Sequence, residues 1–199
     1  MLRSSVRIPR IAVAIGVCLV ATGLAGPADA TTMPYMTLPK LVDQSELIVR
    51  GTVADQRSFV DSDSGRITTH TSVDVEKVYA GSLDRDRVIV EKWGGRVGDR
   101  ALSIPGSASY ETGEQVLLFL EFNNGADDFP AYVVAGTQAK FHIADTDEGE
   151  RISRSVSGVE FLDSDTPRGN LEQPVAFSSF ESRLVSLIYT LKQGATGEN

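Results

Sequence analysis

From Leu47 to Glu76 the chain alternates with a period of two, interrupted once by Asp61-Ser62-Asp63-Ser64-Gly65. Leu47, Val49, Gly51 and Val53 fall on one side, and Ile48, Arg50, Thr52 and Ala54 on the other. Beyond the turn, Ile67, Thr69, Thr71, Val73 and Val75 alternate with Thr68, His70, Ser72, Asp74 and Glu76. Successive side chains of an extended chain point to opposite faces, and β-branched residues suit that geometry. The pattern predicts a β-hairpin with one face buried and one face wet.

A half-buried hairpin needs more strands to cover it. Residues 87–93 read as a third strand, with Val88 and Val90 on one face and Gly94-Gly95 ending it. Residues 94–114 read as a long irregular connection. Residues 115–122 (QVLLFLEF) are nearly all apolar, which predicts a central strand. Asn123-Asn124-Gly125 follows as a turn. Residues 131–135 and 140–144 are further strands, readable as one long strand bent at Gly136. An acidic turn at 145–150 lets residues 151–156 pair back. Many short strands with turns between them indicate a sandwich or a closed barrel. The order of hairpin, third strand, long connection and final hairpin suits a mainly β fold, a five-stranded Greek-key barrel of the OB type; a sandwich is the alternative.

Two helices flank the strands. Thr37-Leu38-Pro39 supplies a hydroxyl cap and an early proline, so a short helix is expected over 37–45 with Leu38, Leu41 and Val42 on its apolar side. Residues 157–173 show no clear period. Phe177, Phe180, Leu184, Leu187, Ile188 and Leu191 then recur at three- and four-residue spacing. That predicts an amphipathic helix over about 178–192, ended by Gly194 and docked on the β-body.

The first 30 residues read as a secretory signal. Arg3, Arg7 and Arg10 precede an uncharged apolar run from Ile11 to Ala25, and Ala28-Asp29-Ala30 offers the small-x-small exit. The expected organisation is therefore a signal peptide at 1–30, an OB-type domain at 31–144 and a C-terminal extension at 145–199. The mature chain would begin at Thr31, secreted or periplasmic, with no membrane attachment after cleavage. Cys18, the one cysteine, lies in the leader and follows Val17, where a lipid-attachment signal wants Gly or Ala. The remaining chain has no disulfide, so its stability must come from one apolar core that buries roughly 70% of the unfolded surface. Removing Arg3, Arg7, Arg10 and Asp29 takes three of 19 basic and one of 27 acidic residues, leaving a net charge of −10. Such a surface repels phosphate, which argues against nucleic acid and anionic membrane as partners.

Catalytic patterns are sparse. No mature cysteine means no thiol chemistry. His70 and His142 are the only imidazoles, each on a strand with acidic neighbours, and two separate histidines do not make a zinc centre. Ser103 and Ser107 lie in the long connection without a G-x-S-x-G context. The carboxylate pairs Asp61/Asp63, Asp84/Asp86, Asp127/Asp128, Asp145/Asp147/Glu148 and Asp163/Asp165 all fall in turns. Asp61–Gly65 resembles a calcium loop but lacks the closing Glu. Gly94-Gly95-Arg96-Val97-Gly98 precedes no helix, which a phosphate cradle needs. No enzyme activity, metal or cofactor is expected.

The segment Ser45-Glu46-Leu47-Ile48-Val49-Arg50-Gly51-Thr52-Val53 resembles the first strand of the netrin-like domain, as in tissue inhibitors of metalloproteinases. Asp74-Val75-Glu76-Lys77-Val78-Tyr79-Ala80-Gly81 is similar to that family's second strand and its exit into a lysine-glycine turn. Tyr132-Val133-Val134-Ala135-Gly136 and Lys140-Phe141-His142-Ile143 are similar to its fourth and fifth strands. The resemblance covers residues 31–144, and the same pattern occurs in secreted bacterial proteins. In the inhibitors, the free α-amine and first carbonyl chelate the protease zinc, and the second side chain enters the specificity pocket. The resemblance places Thr31 and Thr32 in those roles, with Met33 and Pro34 beside them, and the partner would be an extracellular metalloprotease. Thr31 and Met33 stand where the family carries its cysteines.

The expected function is thus a secreted, non-enzymatic module that binds another protein through Thr31, Thr32, Met33 and Pro34. The alternative is a glycan- or small-ligand-binding barrel using Trp93, Tyr110 and Phe129. A hydrolase assembled from distant residues is a third class, which the residue inventory favours least.

Overall fold

The structure is a computed structural model that describes residues 31–122, 131–134, 136–156, 159–162 and 172–193. The signal segment, the 123–125 turn, Phe129, Gly194 and the pairs Asp127/Asp128 and Asp163/Asp165 lie outside the described residues.

The elements in chain order are β1 (Thr31–Met33), α1 (Leu38–Gln44), β2 (Leu47–Val60), β3 (Ile67–Ala80), β4 (Arg87–Trp93), β5 (Gly95–Val97) and β6 (Arg100–Leu102). They continue with β7 (Gln115–Phe122), β8 (Ala131–Val133), β9 (Lys140–Thr146), β10 (Gly149–Ser153), β11 (Val159–Phe161), β12 (Val175–Ala176) and α2 (Phe177–Ile188). The protein is mainly β with a C-terminal helix. Its main sheet runs β12–β10–β9–β7–β2–β3–β4–β8.

The expected hairpin is β2 with β3, fourteen residues each and antiparallel. It carries register shifts, one of them between Arg50 and Gly51. A Cβ at Gly51 would collide with the Asp74 carbonyl oxygen, so glycine is what lets the strands close up there. β4 is the third strand, with the bounds the alternation predicts, and its Val88 and Val90 are buried.

β7 is central and buried on both faces: residues 116–120 are all fully buried. This explains its unbroken apolar run, since a strand covered on one side only would alternate. Leu117 and Phe119 join one core with α1, α2 and Phe141; Val116, Leu118 and Leu120 join a second core with Val49, Val73 and Val88.

β8, a 3₁₀ turn at Gly136–Ala139 and β9 run along a single edge of β7. The bend at Gly136 is therefore observed. Its φ is +58°, and a Cβ there would strike the Gly106 carbonyl oxygen. β8 also pairs in parallel with β4, through Ala131 and Val90.

Several details depart from the sequence reading. The 94–114 connection is not wholly irregular, because β5 and β6 form a small hairpin within it. Thr37 precedes α1 but makes no side-chain cap; only its carbonyl accepts, from Leu41 N–H at 2.9 Å. The acidic turn is tighter than expected, so β10 starts at Gly149 rather than 151. Residues 157–173 contain β11, which pairs in parallel with β1. The second helix is α-helical only to Ile188, and Tyr189–Gln193 widens to π geometry. It docks as its apolar stripe predicts, burying Phe177, Phe180 and Leu184, with Phe180 5.3 Å from Phe141 between ring centroids. No helix among the described residues is long and apolar enough to cross a membrane.

Candidate functional site

The N-terminal segment is held by groups far away in sequence. β1 lies parallel to β11 with Thr31, Thr32 and Met33 opposite Val159, Glu160 and Phe161. Leu162 N–H donates to the Met33 carbonyl at 3.1 Å. Tyr35 meets Phe161 edge-on, with centroids 5.1 Å apart.

Two buried polar side chains then fix residues 34–36. Gln138 is fully buried; its Oε1 accepts from Met36 N–H at 2.8 Å and its Nε2 donates to the Pro34 carbonyl at 2.9 Å. Arg154, 2% exposed, donates from Nη1 to the Met36 carbonyl at 2.8 Å and to the Gln138 carbonyl at 3.4 Å. Its guanidinium sits 4.6 Å from the Tyr35 ring centroid. Burial lowers the Arg154 pKa, yet a guanidinium keeps its charge in a protein. Its Nε and Nη2 have no hydrogen-bond partner among the described residues. Burying a partly unpartnered cation is costly. What the fold gains is a single conformation for residues 34–36, while Thr32 and Pro34 stay exposed and Met33 half-buried.

Sequence reasoning singled out Thr31–Pro34 but missed Gln138 and Arg154. Polar residues next to strand ends read as surface; only their three-dimensional neighbours reveal them as buried.

A cleft of about 780 Å³ opens on the far side of Arg154 and Thr137, walled by Ser107, Ser109, Thr112 and Ser155. Lys140 crosses it, bonding Glu114 and the Ser109 carbonyl. His142 Nδ1 is 3.2 Å from the same Glu114 oxygen. A smaller pocket of about 270 Å³ adjoins it through Ser107 and is lined by Val90, Trp93, Ile104, Ala108 and Tyr110. Burial pushes the Tyr110 phenol pKa up, and burial together with nearby Lys140 pushes the Lys92 ammonium pKa down. The structure thus brings Trp93 and Tyr110 into one pocket.

The other expected candidates sit apart. His70 Nε2 is 2.7 Å from Glu91 across the β3–β4 pair. Asp61 accepts from the Ser64 hydroxyl and backbone N–H, which lowers its pKa and locks the hairpin turn. Ser103 is exposed on the 94–114 connection, and Ser107 makes no hydrogen bond to either histidine. Among the described residues, no three His, Cys, Asp or Glu gather as a metal centre would need.

The chain matches no protein-family model and no curated protein.

Proposed function

We propose that the protein is a secreted, non-enzymatic module of the OB type that binds another protein through Thr31, Thr32, Met33 and Pro34. The observation that carries this reading is the clamp. Gln138 and Arg154, both buried, spend their hydrogen bonds on the backbone of residues 34–36. A binding segment fixed in advance loses less entropy on association than a free one. In the netrin-like inhibitors, disulfides do that tethering. Here the β1–β11 ribbon and the two side chains serve instead, which is how a chain with no mature cysteine could keep the same mode of binding.

The pairing pattern supports the OB reading. β2, β3 and β4 form a meander; β8 lies parallel to β4 and antiparallel to β7, and β7 returns to β2. That circuit has the strand order of a five-stranded Greek-key barrel. β9, β10 and β12 then extend the sheet beyond it, together with α2.

The partner on this reading is an extracellular metalloprotease, and the Thr31 α-amine is the zinc ligand. An α-amine donates a lone pair only when unprotonated, and its ordinary pKa is about 7.7–8.0. Binding should therefore strengthen as pH rises from about 6 to 8. Exported protein should have an intact mass that starts at Thr31; retention of the apolar 11–25 run would rule out a free amine there. Titration against a matrixin catalytic domain should give tight binding for the authentic chain. Acetylating Thr31, or adding one residue before it, should weaken binding at least about 100-fold with no change in the melting curve. Removing the protease zinc should have the same effect. Equal binding by the extended chain would end the zinc-wedge mechanism.

A further inference from the structure

We infer that the cleft beside the 104–114 connection binds a neutral oligosaccharide of at least two rings. Sugars present two chemistries: an apolar face of C–H groups and an edge of hydroxyls. The first sits on aromatic surface, and the second needs a dense set of small donors and acceptors. The two joined cavities offer these side by side.

Trp93 supplies the aromatic surface. It is 54% exposed, the largest side chain among the exposed hydrophobics, and it walls the apolar pocket with Val90, Ile104 and Ala108. The Arg66 guanidinium, 4.9 Å from its ring centroid, steadies the indole. Ser107 belongs to both cavities and leads from the apolar pocket into the polar cleft. There Ser107, Ser109, Thr112, Ser153 and Ser155 line the cleft, and none of their hydroxyls bonds another described residue. Five unspent hydroxyls in one cleft are capacity for a ligand rather than for the fold. Glu111 adds a carboxylate whose oxygens are likewise unspent.

Charge argues for a neutral ligand. The one ammonium that crosses the cleft, Lys140, is already matched by Glu114. Among the described residues the carboxylates of the two linings, Glu91, Glu111, Glu114 and Glu172, outnumber the cations Lys92, Lys140 and Arg154, so a phosphate or a polyanion gains little there. The volume, about 780 Å³ with a further 270 Å³ beside it, suits a ligand larger than one ring. A peptide would look for backbone partners along a strand edge, whereas this cleft offers side-chain hydroxyls.

Trp93 is the only tryptophan in the chain, so intrinsic fluorescence reads the site directly. The mature protein is titrated with cellotetraose, chitotetraose and mannotetraose, and calorimetry is run in parallel. At least one should give a saturable blue shift. Trp93→Ala should weaken calorimetric binding of that sugar at least tenfold. The double variant Ser109→Ala with Thr112→Ala, at two exposed positions, should weaken it at least threefold with an unchanged melting temperature. A flat response to all three sugars overturns the proposal. So does equal binding by the Trp93→Ala protein, or a larger shift with tetra-alanine than with any sugar. None of these outcomes touches the N-terminal segment, so this site and the protease-binding reading stand or fall separately.

Discussion

Leu118→Ala and Phe119→Ala should each destabilise the protein strongly, by roughly 2–5 and 3–5 kcal/mol, although the two side chains leave β7 on opposite faces. Both are fully buried. Leu118 packs in the core shared with Val49, Val73 and Val88, and Phe119 in the core shared with Phe141 and the two helices. Each truncation removes apolar contact and leaves a cavity that close-packed neighbours fill only in part. Because the two cavities open into different cores, any coupling in the double variant should come only through the β7 backbone that the two residues share. Urea unfolding monitored by circular dichroism measures all three. A near-neutral Leu118→Ala would mean that the face of β7 toward Val49 is not packed, and the two-core description would fall with it.

Gln138→Leu should cost on the order of 2–5 kcal/mol, despite replacing a polar side chain by an apolar one of similar size. The reason is what it strands. Among the described residues, Met36 N–H and the Pro34 carbonyl bond only Gln138; an unsatisfied buried group such as the Met36 N–H costs about 1–3 kcal/mol, and the part-buried Pro34 carbonyl adds to that loss. Arg154 would keep its hold on the Met36 carbonyl, so the segment should loosen rather than detach. Hydrogen exchange at Met36 should accelerate by orders of magnitude, with exchange over 116–120 far less affected. Slow exchange at Met36 in the variant would show that Gln138 is not what holds the segment.

Those two positions mark the boundary of what the sequence alone could reveal. β2, β3, β4 and β7 were legible because alternation, β-branching and an unbroken apolar run are local signals. The α2 stripe was legible for the same reason, since spacings of three and four are read within one element. That β7 would be buried on both faces was implicit in its composition, but the two separate cores were not. β1, β5, β6 and β11 are three residues long, too short to show a period, and β1 finds its partner far along the chain. Gln138 and Arg154 were invisible because a buried polar residue has the same letter as an exposed one. Trp93 and Tyr110 were legible as aromatics near loops; their meeting in one pocket, beside a cleft lined by unspent hydroxyls, depends on how the 104–114 connection folds back.

The clamp also sets an order of assembly. The hydrogen bonds that hold Met36 reach across 102 and 118 positions of sequence. Closing loops that long is slow and entropically dear compared with zipping a hairpin. Residues 34–36 therefore acquire their final shape only after residues 138 and 154 have emerged and folded. Until then residues 34–36 lack the bonds that fix them. A chain interrupted before that point could still pair β2 with β3, but it would display no fixed tip. On the proposed reading, the binding end would double as a seal of completion, present only on molecules that have been made and folded through to their far strands.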